Sequence, residues 1–281
     1  MRKWICSFCL FVLSMVLLSG CTGGDVPALI FPSAVVPTPA GTALKPTVAP
    51  TPTASVSSAP TATLVPSSAP GKAWPYAVPI YDVVRTDNKI CLTINCAWGA
   101  DDINQILDIL DTYEVKTTFF MLGKWAETNP EAAKAIYNRG HEIGNHSYNH
   151  VLPPTKEDTI KGMEAIERIV GVRPTFYRAP SGEYTKEALD CAYSLGMTPI
   201  QWSADTVDWK FTAEESLERL RKDTASGGIM LFHNDTKTIL TLLPQVLQEF
   251  KDKGFTFVKL SDLLYPEPYT VNQWGHQKKS S

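Results

Sequence analysis

The chain has no excess of positive charge. Its 26 lysines and arginines face 29 aspartates and glutamates, for a net charge of -3 over 281 residues. No basic stripe with interleaved aromatics occurs, so a nucleic-acid partner is not expected. Cysteine is scarce. Of six cysteines, Cys6 and Cys9 fall in an N-terminal apolar leader and Cys21 stands at its end. Cys91, Cys96 and Cys191 remain, an odd number that excludes a disulfide framework. Cys91 and Cys96 are five positions apart. On one strand they would point to opposite faces and could not bond. The apolar run at 4–18 is about fifteen residues long, short of the roughly 20 that cross a bilayer comfortably.

What is present at the N-terminus reads as a leader. Arg2 and Lys3 precede the apolar run, and small residues follow it, the pattern of a secretory signal over residues 1–20. The sequence Leu18-Ser19-Gly20-Cys21 resembles a bacterial lipobox. That resemblance makes Cys21 the lipidated first residue of a mature protein held extracytoplasmically on the cell membrane. Residues 21–73 have a different character. Ten of the chain's 21 prolines lie within 22–73, with only Asp25, Lys45 and Lys72 charged. Such a stretch cannot bury enough apolar surface to offset its ordering entropy. It is expected to be a tether reaching on the order of 100 Å.

Composition changes at Trp74. Apolar, β-rich runs at 89–95, 116–121, 141–145, 175–178, 197–202, 228–232 and 255–259 alternate with helical periodicity. Ile103, Ile106, Leu107 and Leu110 share one helical face, as do Ala188, Ala192 and Leu195. Leu217, Leu220, Leu242, Val246 and Leu247 fit similar stripes. Strands separated by helices imply a parallel sheet over 74–268, either doubly wound or a small barrel. Residues 269–281, His276 among them, are polar and are expected to be a frayed tail.

Titratable and polar residues gather after five of these strands. Asn95 and Cys96 close the first. His146 and His150 follow the strand ending near Gly144. Arg178 ends another, Asp205 and Asp208 follow Trp202, and His233 follows Phe232. In parallel α/β folds that end of the sheet carries the active site. His146 and His150, four apart on a helical turn, could bind one metal ion. His141 reads as a structural histidine, and Cys91 and Cys191 as small core residues. Trp98 and Trp202 fit a core position or a sugar-stacking one equally. Asp205 fits a loop cap or a site role.

These motifs together resemble the polysaccharide deacetylases, the NodB-type carbohydrate esterases of family four. The resembling stretches are Gly140-His141-Glu142-Ile143-Gly144-Asn145-His146, His146-Ser147-x-x-His150, Arg178-Ala179-Pro180, Asp205-x-x-Asp208-Trp209 and Leu231-Phe232-His233. Their order and spacing match over nearly all of 88–265. The resemblance implies a distorted (β/α) barrel of about seven parallel strands. It implies removal of N-acetyl groups from cell-wall polysaccharide, the N-acetylglucosamine or N-acetylmuramic acid of peptidoglycan, by a divalent metal, zinc in most members. His146 and His150 would be ligands, and His233 the general acid oriented by Asp208. Arg178 would hold a carboxylate bidentately. Trp209, Tyr184 and Pro180 would shape the substrate groove. The partners implied are a glycan substrate and the membrane, with no protein partner.

One motif departs. Active members carry Thr-Phe-Asp-Asp-Gly, whose first Asp is the base and second a metal ligand. Here the stretch is Thr93-Ile94-Asn95-Cys96-Ala97-Trp98-Gly99, which resembles a Trp-Gly subgroup. Asn95 occupies the base position, and a neutral amide accepts no proton. Three readings follow. Cys96 could supply a thiolate as third ligand. Asp101 or Asp102 could fold back as ligand or base, although Asp-Asp before Ile103 also reads as a helix cap. Or hydrolysis is lost and the domain binds glycan as a membrane-tethered module. A chitin or xylan deacetylase is a weaker reading.

Overall fold

The computed structural model describes residues 71–280. The leader at 1–20, the lipidated Cys21 and nearly all of the 21–73 tether lie outside the described residues. Eleven strands are present among those described: β1 (Asp82–Val83), β2 (Lys89–Cys96), β3 (Thr118–Met121), β4 (Glu142–Asn145), β5 (Phe176–Tyr177), β6 (Thr198–Pro199), β7 (Ala204–Asp205), β8 (Ile229–His233), β9 (Thr256–Phe257), β10 (Tyr269–Val271) and β11 (His276–Lys279). Eight helices accompany them: α1 (Ile103–Thr112), α2 (Gly123–Thr128), α3 (Pro130–Asn138), α4 (Lys156–Val170), α5 (Lys186–Ser194), α6 (Ala213–Asp223), α7 (Ile239–Asp252) and α8 (Leu260–Leu263).

β2 is the strand on which the sheet is built. Seven of its eight residues are buried, because it has a strand on either edge and side chains packed on both faces. Alternation sorts them. Ile90, Leu92, Ile94 and Cys96 enter the cluster shared with α1 and α7, whereas Cys91 enters a second cluster with Ile80, Phe120, Phe176 and Ile200. The two cysteines thus face opposite ways, as their spacing requires. α1 buries Ile103, Ile106, Leu107 and Leu110, and α7 buries Ile239, Leu242, Val246 and Leu247 among others.

The main sheet runs β6-β5-β4-β3-β2-β8-β7, with β9 paired to β2 beside it. Every pairing in it is parallel. It is a curled half-barrel of seven parallel strands, the α/β architecture expected. Its membership differs in one place. The apolar run at 255–259 supplies only β9, off the main path, and the two-residue β7 takes the seventh place. Two residues are too few to show a period of two in sequence. Ile80 bridges Ile200 beyond β6, and Asp82 bridges Gly228 before β8, so the 80–82 segment links one end of the path to the strand next to its other end.

The expectation of a frayed tail is corrected. Residues 269–279 form β10 and β11, antiparallel to each other, and β11 pairs in parallel with β1. Little apolar surface holds this sheet, which is why it was illegible. Gln277 is buried, donating from Nε2 to the Tyr265 carbonyl at 3.1 Å and accepting the Tyr265 N–H at 2.9 Å. His276 Nδ1 lies 2.7 Å from an Asp82 oxygen, and Tyr76 donates to the Tyr269 carbonyl at 2.6 Å. Ending the chain at Pro268 removes these bonds and uncovers the part of the second core cluster that Val271 covers. The expected result is a melting temperature lower by roughly 5–10 °C in calorimetry; an unchanged midpoint would show the hairpin to be dispensable.

Candidate active site

Two glycines fix the histidine loop. A side chain on Gly162 of α4 would sit 2.4 Å from the backbone of Ser147 and 2.5 Å from Asn145 Oδ1. A side chain on Gly123, at the start of α2, would in turn sit 2.8 Å from the Gly162 Cα. α2 therefore lies close enough for the Gly123 and Lys124 N–H groups to donate to the Ser147 and Tyr148 carbonyls at 2.9 and 3.1 Å. Ser147 and His150 adopt positive φ of 74° and 58°, which a non-glycine residue holds only when its surroundings impose it. The result sets the His146 and His150 rings 5.1 Å apart between centroids.

Below them lies a buried cation. Arg178 is fully buried. Its Nη1 donates to Thr93 Oγ1 at 2.9 Å and Asn95 Oδ1 at 3.0 Å, and its Nη2 to the Gln201 carbonyl at 3.1 Å. The guanidinium lies 4.0 Å over the Phe120 ring. The bidentate carboxylate clasp expected of Arg178 is corrected: Asn95 offers one amide oxygen, and no described carboxylate pairs with it. Burial accordingly pushes its pKa down to about 9.

The other end of the Asn95 amide meets His146, with Nδ2 3.3 Å from Nε2. His146 Nδ1 lies 2.8 Å from the Arg178 carbonyl oxygen, which can only accept. Nδ1 therefore carries the proton, and in the neutral ring Nε2 is the acceptor for the amide. Burial holds the ring neutral by lowering its pKa well below the ordinary value, with His150 adding to the shift.

These residues do not fit a three-ligand metal centre. Cys96, the expected third ligand, is fully buried in the helix-side core beside Ile94, Phe119 and Met121. It follows Asn95 on the strand and so points to the opposite face. Burial raises its thiol pKa well above the usual value, so it does not offer a thiolate. Among the described residues no group of three His, Cys, Asp or Glu side chains could hold an ion. Asp102 does not replace it, and its side chain makes no helix cap either. Its carboxylate accepts the Asp235 N–H at 2.6 Å and so ties the loop after β2 to the loop after β8.

The opposite wall is intact. His233 Nδ1 lies 2.9 Å from Asp208 Oδ1, and the His233 N–H donates to Asp208 Oδ2 at 2.8 Å. The carboxylate fixes the ring and leaves Nε2 to exchange a proton. Asp205 holds the turn between them, accepting the Val207 N–H at 2.9 Å and Trp202 Nε1 at 3.2 Å. A cavity of about 310 Å³ joins the two walls, lined by Asn95, His146, His150 and His233 and by Trp98, Trp202 and Trp209. Trp98 is 52% and Trp209 61% exposed. Trp98 lies 5.6 Å from the His233 ring. The expected wall from Pro180 and Tyr184 is corrected: Pro180 is buried, Tyr184 packs against the core, and Ser181 and Trp202 line the cavity instead. Sequence reasoning missed Ser181, and also Thr93 and Gln201, which hold Arg178. Only the alternation of β2, placing Thr93 on the face of Asn95, could have signalled one of them.

A polysaccharide deacetylase family model matches residues 82–200. The chain is 33% identical over 186 residues to a peptidoglycan-N-acetylglucosamine deacetylase of Bacillus cereus, covering 62% of this chain and 68% of that protein. The chain belongs to the polysaccharide deacetylase family. It is also 33% identical over 192 residues to the uncharacterized protein YlxY of Bacillus subtilis, covering 66% of this chain and 60% of that one. Among solved structures of the family, a pseudoenzyme of carbohydrate esterase family four from Bacillus anthracis matches with a TM-score of 0.64 and 30% identity. That match covers 67% of this chain and 69% of that one. A mutant of that pseudoenzyme with restored enzymatic activity matches equally well. The family thus contains both peptidoglycan deacetylases and a pseudoenzyme.

One histidine, at the end of β4 away from the site, makes stability depend on pH. His141, at the foot of β4, accepts the Thr117 N–H at Nδ1, while its Nε2 is buried without a partner. Burial, with Lys116 nearby, pushes its pKa down from 6.5 to about 3. Below pH 6.5 the unfolded chain takes up a proton that the folded chain refuses until about pH 3. This contribution is complete above that window and is lost as pH falls through it. Between pH 7 and pH 5 the natural protein should lose about 2 kcal/mol more stability in urea unfolding than His141→Gln. Equal losses would contradict the assignment.

Proposed function

We propose that this domain binds N-acetylated cell-wall glycan in the groove above Asn95 and has lost hydrolysis. The relatives that deacetylate peptidoglycan support the ligand. The observation that carries the loss is the Asn95 amide, wedged between the Arg178 guanidinium and His146 Nε2. At the position of the base it can accept no proton from water. It also occupies the lone pair with which His146 would ligate a metal, and Cys96 faces the core. The half of the site that would protonate a leaving amine, His233 with Asp208, remains. Without a base and a Lewis acid it has no attacking hydroxide to follow. Exposed Trp98 and Trp209 give the groove flat apolar faces, suited to the faces of sugar rings. The Leu18–Cys21 pattern supports a place outside the cell, tethered to the membrane through lipid on Cys21.

Hydrolysis is the competing reading, and His233 with its oriented ring favours it. Acetate release from N-acetylated peptidoglycan fragments separates the two. With zinc, cobalt or manganese added, the natural protein should release no more acetate than His233→Ala. Binding of the same fragments, followed by calorimetry, should weaken about tenfold in Trp209→Ala, the loss of one exposed aromatic anchor. Acetate release that His233→Ala abolishes would establish an enzyme instead.

A further inference from the structure

Beyond the His233–Asp208 pair lies a cavity of about 600 Å³, larger than the one above Asn95. It is built by the segment after β7 and the loop after β8, and it includes Phe211, Lys210 and Lys237. Trp98 and Trp209 line both cavities, so the two are continuous across a shared aromatic rim. Its carboxylates and its ammonium groups stand in different situations. The Asp208 side chain is fully buried and committed to His233. Asp235 accepts the Gly99 N–H at 2.8 Å. Lys210 and Lys237 are exposed and make no ion pair among the described residues; Lys210 only approaches the Phe211 ring, at 5.4 Å.

Two free cations beside an aromatic rim suit an anionic sugar. Apolar faces receive a ring, and an ammonium without a partner attracts a carboxylate with no internal pair to break. We infer that this second cavity is a subsite for a carboxylate-bearing sugar adjoining the N-acetylated unit above Asn95, the lactyl carboxylate of a muramic acid residue, read by Lys210 and Lys237. The inference rests on the glycan-binding reading and sharpens it: the groove discriminates an alternating N-acetylglucosamine–muramic acid strand whose lactyl carboxylates are free, its stem peptides removed, from neutral chitin.

The latch that carries Trp98 makes the rim rigid enough for this. Asn234 Nδ2 donates to the Gly99 carbonyl at 2.6 Å, and Trp125 Nε1 to the same oxygen at 2.9 Å. A side chain on Gly99 would sit 2.8 Å from Asp235 Oδ2. The loop bearing Trp98 is therefore pinned to the loop bearing Lys237 at a close approach, which a side chain on Gly99 could share only by displacing the Asp235 carboxylate.

Calorimetry with the full chain tests this, using stem-free N-acetylglucosamine–N-acetylmuramic acid tetrasaccharide and chitotetraose. The natural protein should bind the first about fivefold more tightly, as two exposed charge contacts provide. The advantage should shrink at high salt. Lys210→Met with Lys237→Met should erase the preference and leave chitotetraose affinity unchanged. Equal affinity of the natural protein for both saccharides would overturn the subsite alone. A double variant weakened equally toward both would also overturn it. Absence of binding to either saccharide would overturn the glycan-binding reading as well.

Discussion

The structure turns on a guanidinium buried without a carboxylate partner among the described residues. Taking a charge out of water costs several kcal/mol unless partners replace the water. Arg178 obtains its partners from three places at once: Thr93 and Asn95 on β2, the Gln201 carbonyl after β6, and the Phe120 face on β3. Its own carbonyl receives His146. One side chain thus ties together the strand ends that form the floor of the groove. That demand explains the chemistry above it. The amide oxygen of Asn95 is a partner the cation requires, and satisfying it turns the amide nitrogen toward His146.

From that floor the two walls differ in kind. One is backbone-built: the histidine loop rests on the N-terminus of α2 and on the bare surface of Gly162, so His146 and His150 are placed by close packing. The other is side-chain-built, with Asp208 gripping His233 at both ring and backbone. Asp208 holds His233 without help from the side chains of Asn95 or Cys96, so a change at those two positions leaves the acid half standing. A protein can keep the family fold as a pseudoenzyme, as the neighbour from Bacillus anthracis does.

Much of this was legible in the residues. The stripes of α1 and α7 and the buried run of β2 declare the helix and strand layers, since burial on one face or both leaves a period. The site residues could be listed because they follow strands, where a parallel sheet gathers its chemistry. What escaped were short or polar elements. β7 has two residues, and the β10–β11 hairpin is held by Gln277, His276 and tyrosine hydroxyls, which leave no hydrophobic period.

The sequence alone determined the family, a parallel α/β sheet of about seven strands and the absence of a carboxylate at position 95. Those follow from residue identity and spacing. Tertiary structure decided what that absence means. Whether Cys96 could stand in for a ligand depends on which face of β2 it takes, and the strand turns it into the helix-side core. Whether Arg178 grips a carboxylate depends on what surrounds it, and no described carboxylate does. Whether Trp98 is core or rim depends on a latch formed with residues more than a hundred positions away, at Asn234 and Asp235. Contacts of that range are set by how the chain closes on itself, and a local pattern carries no trace of them.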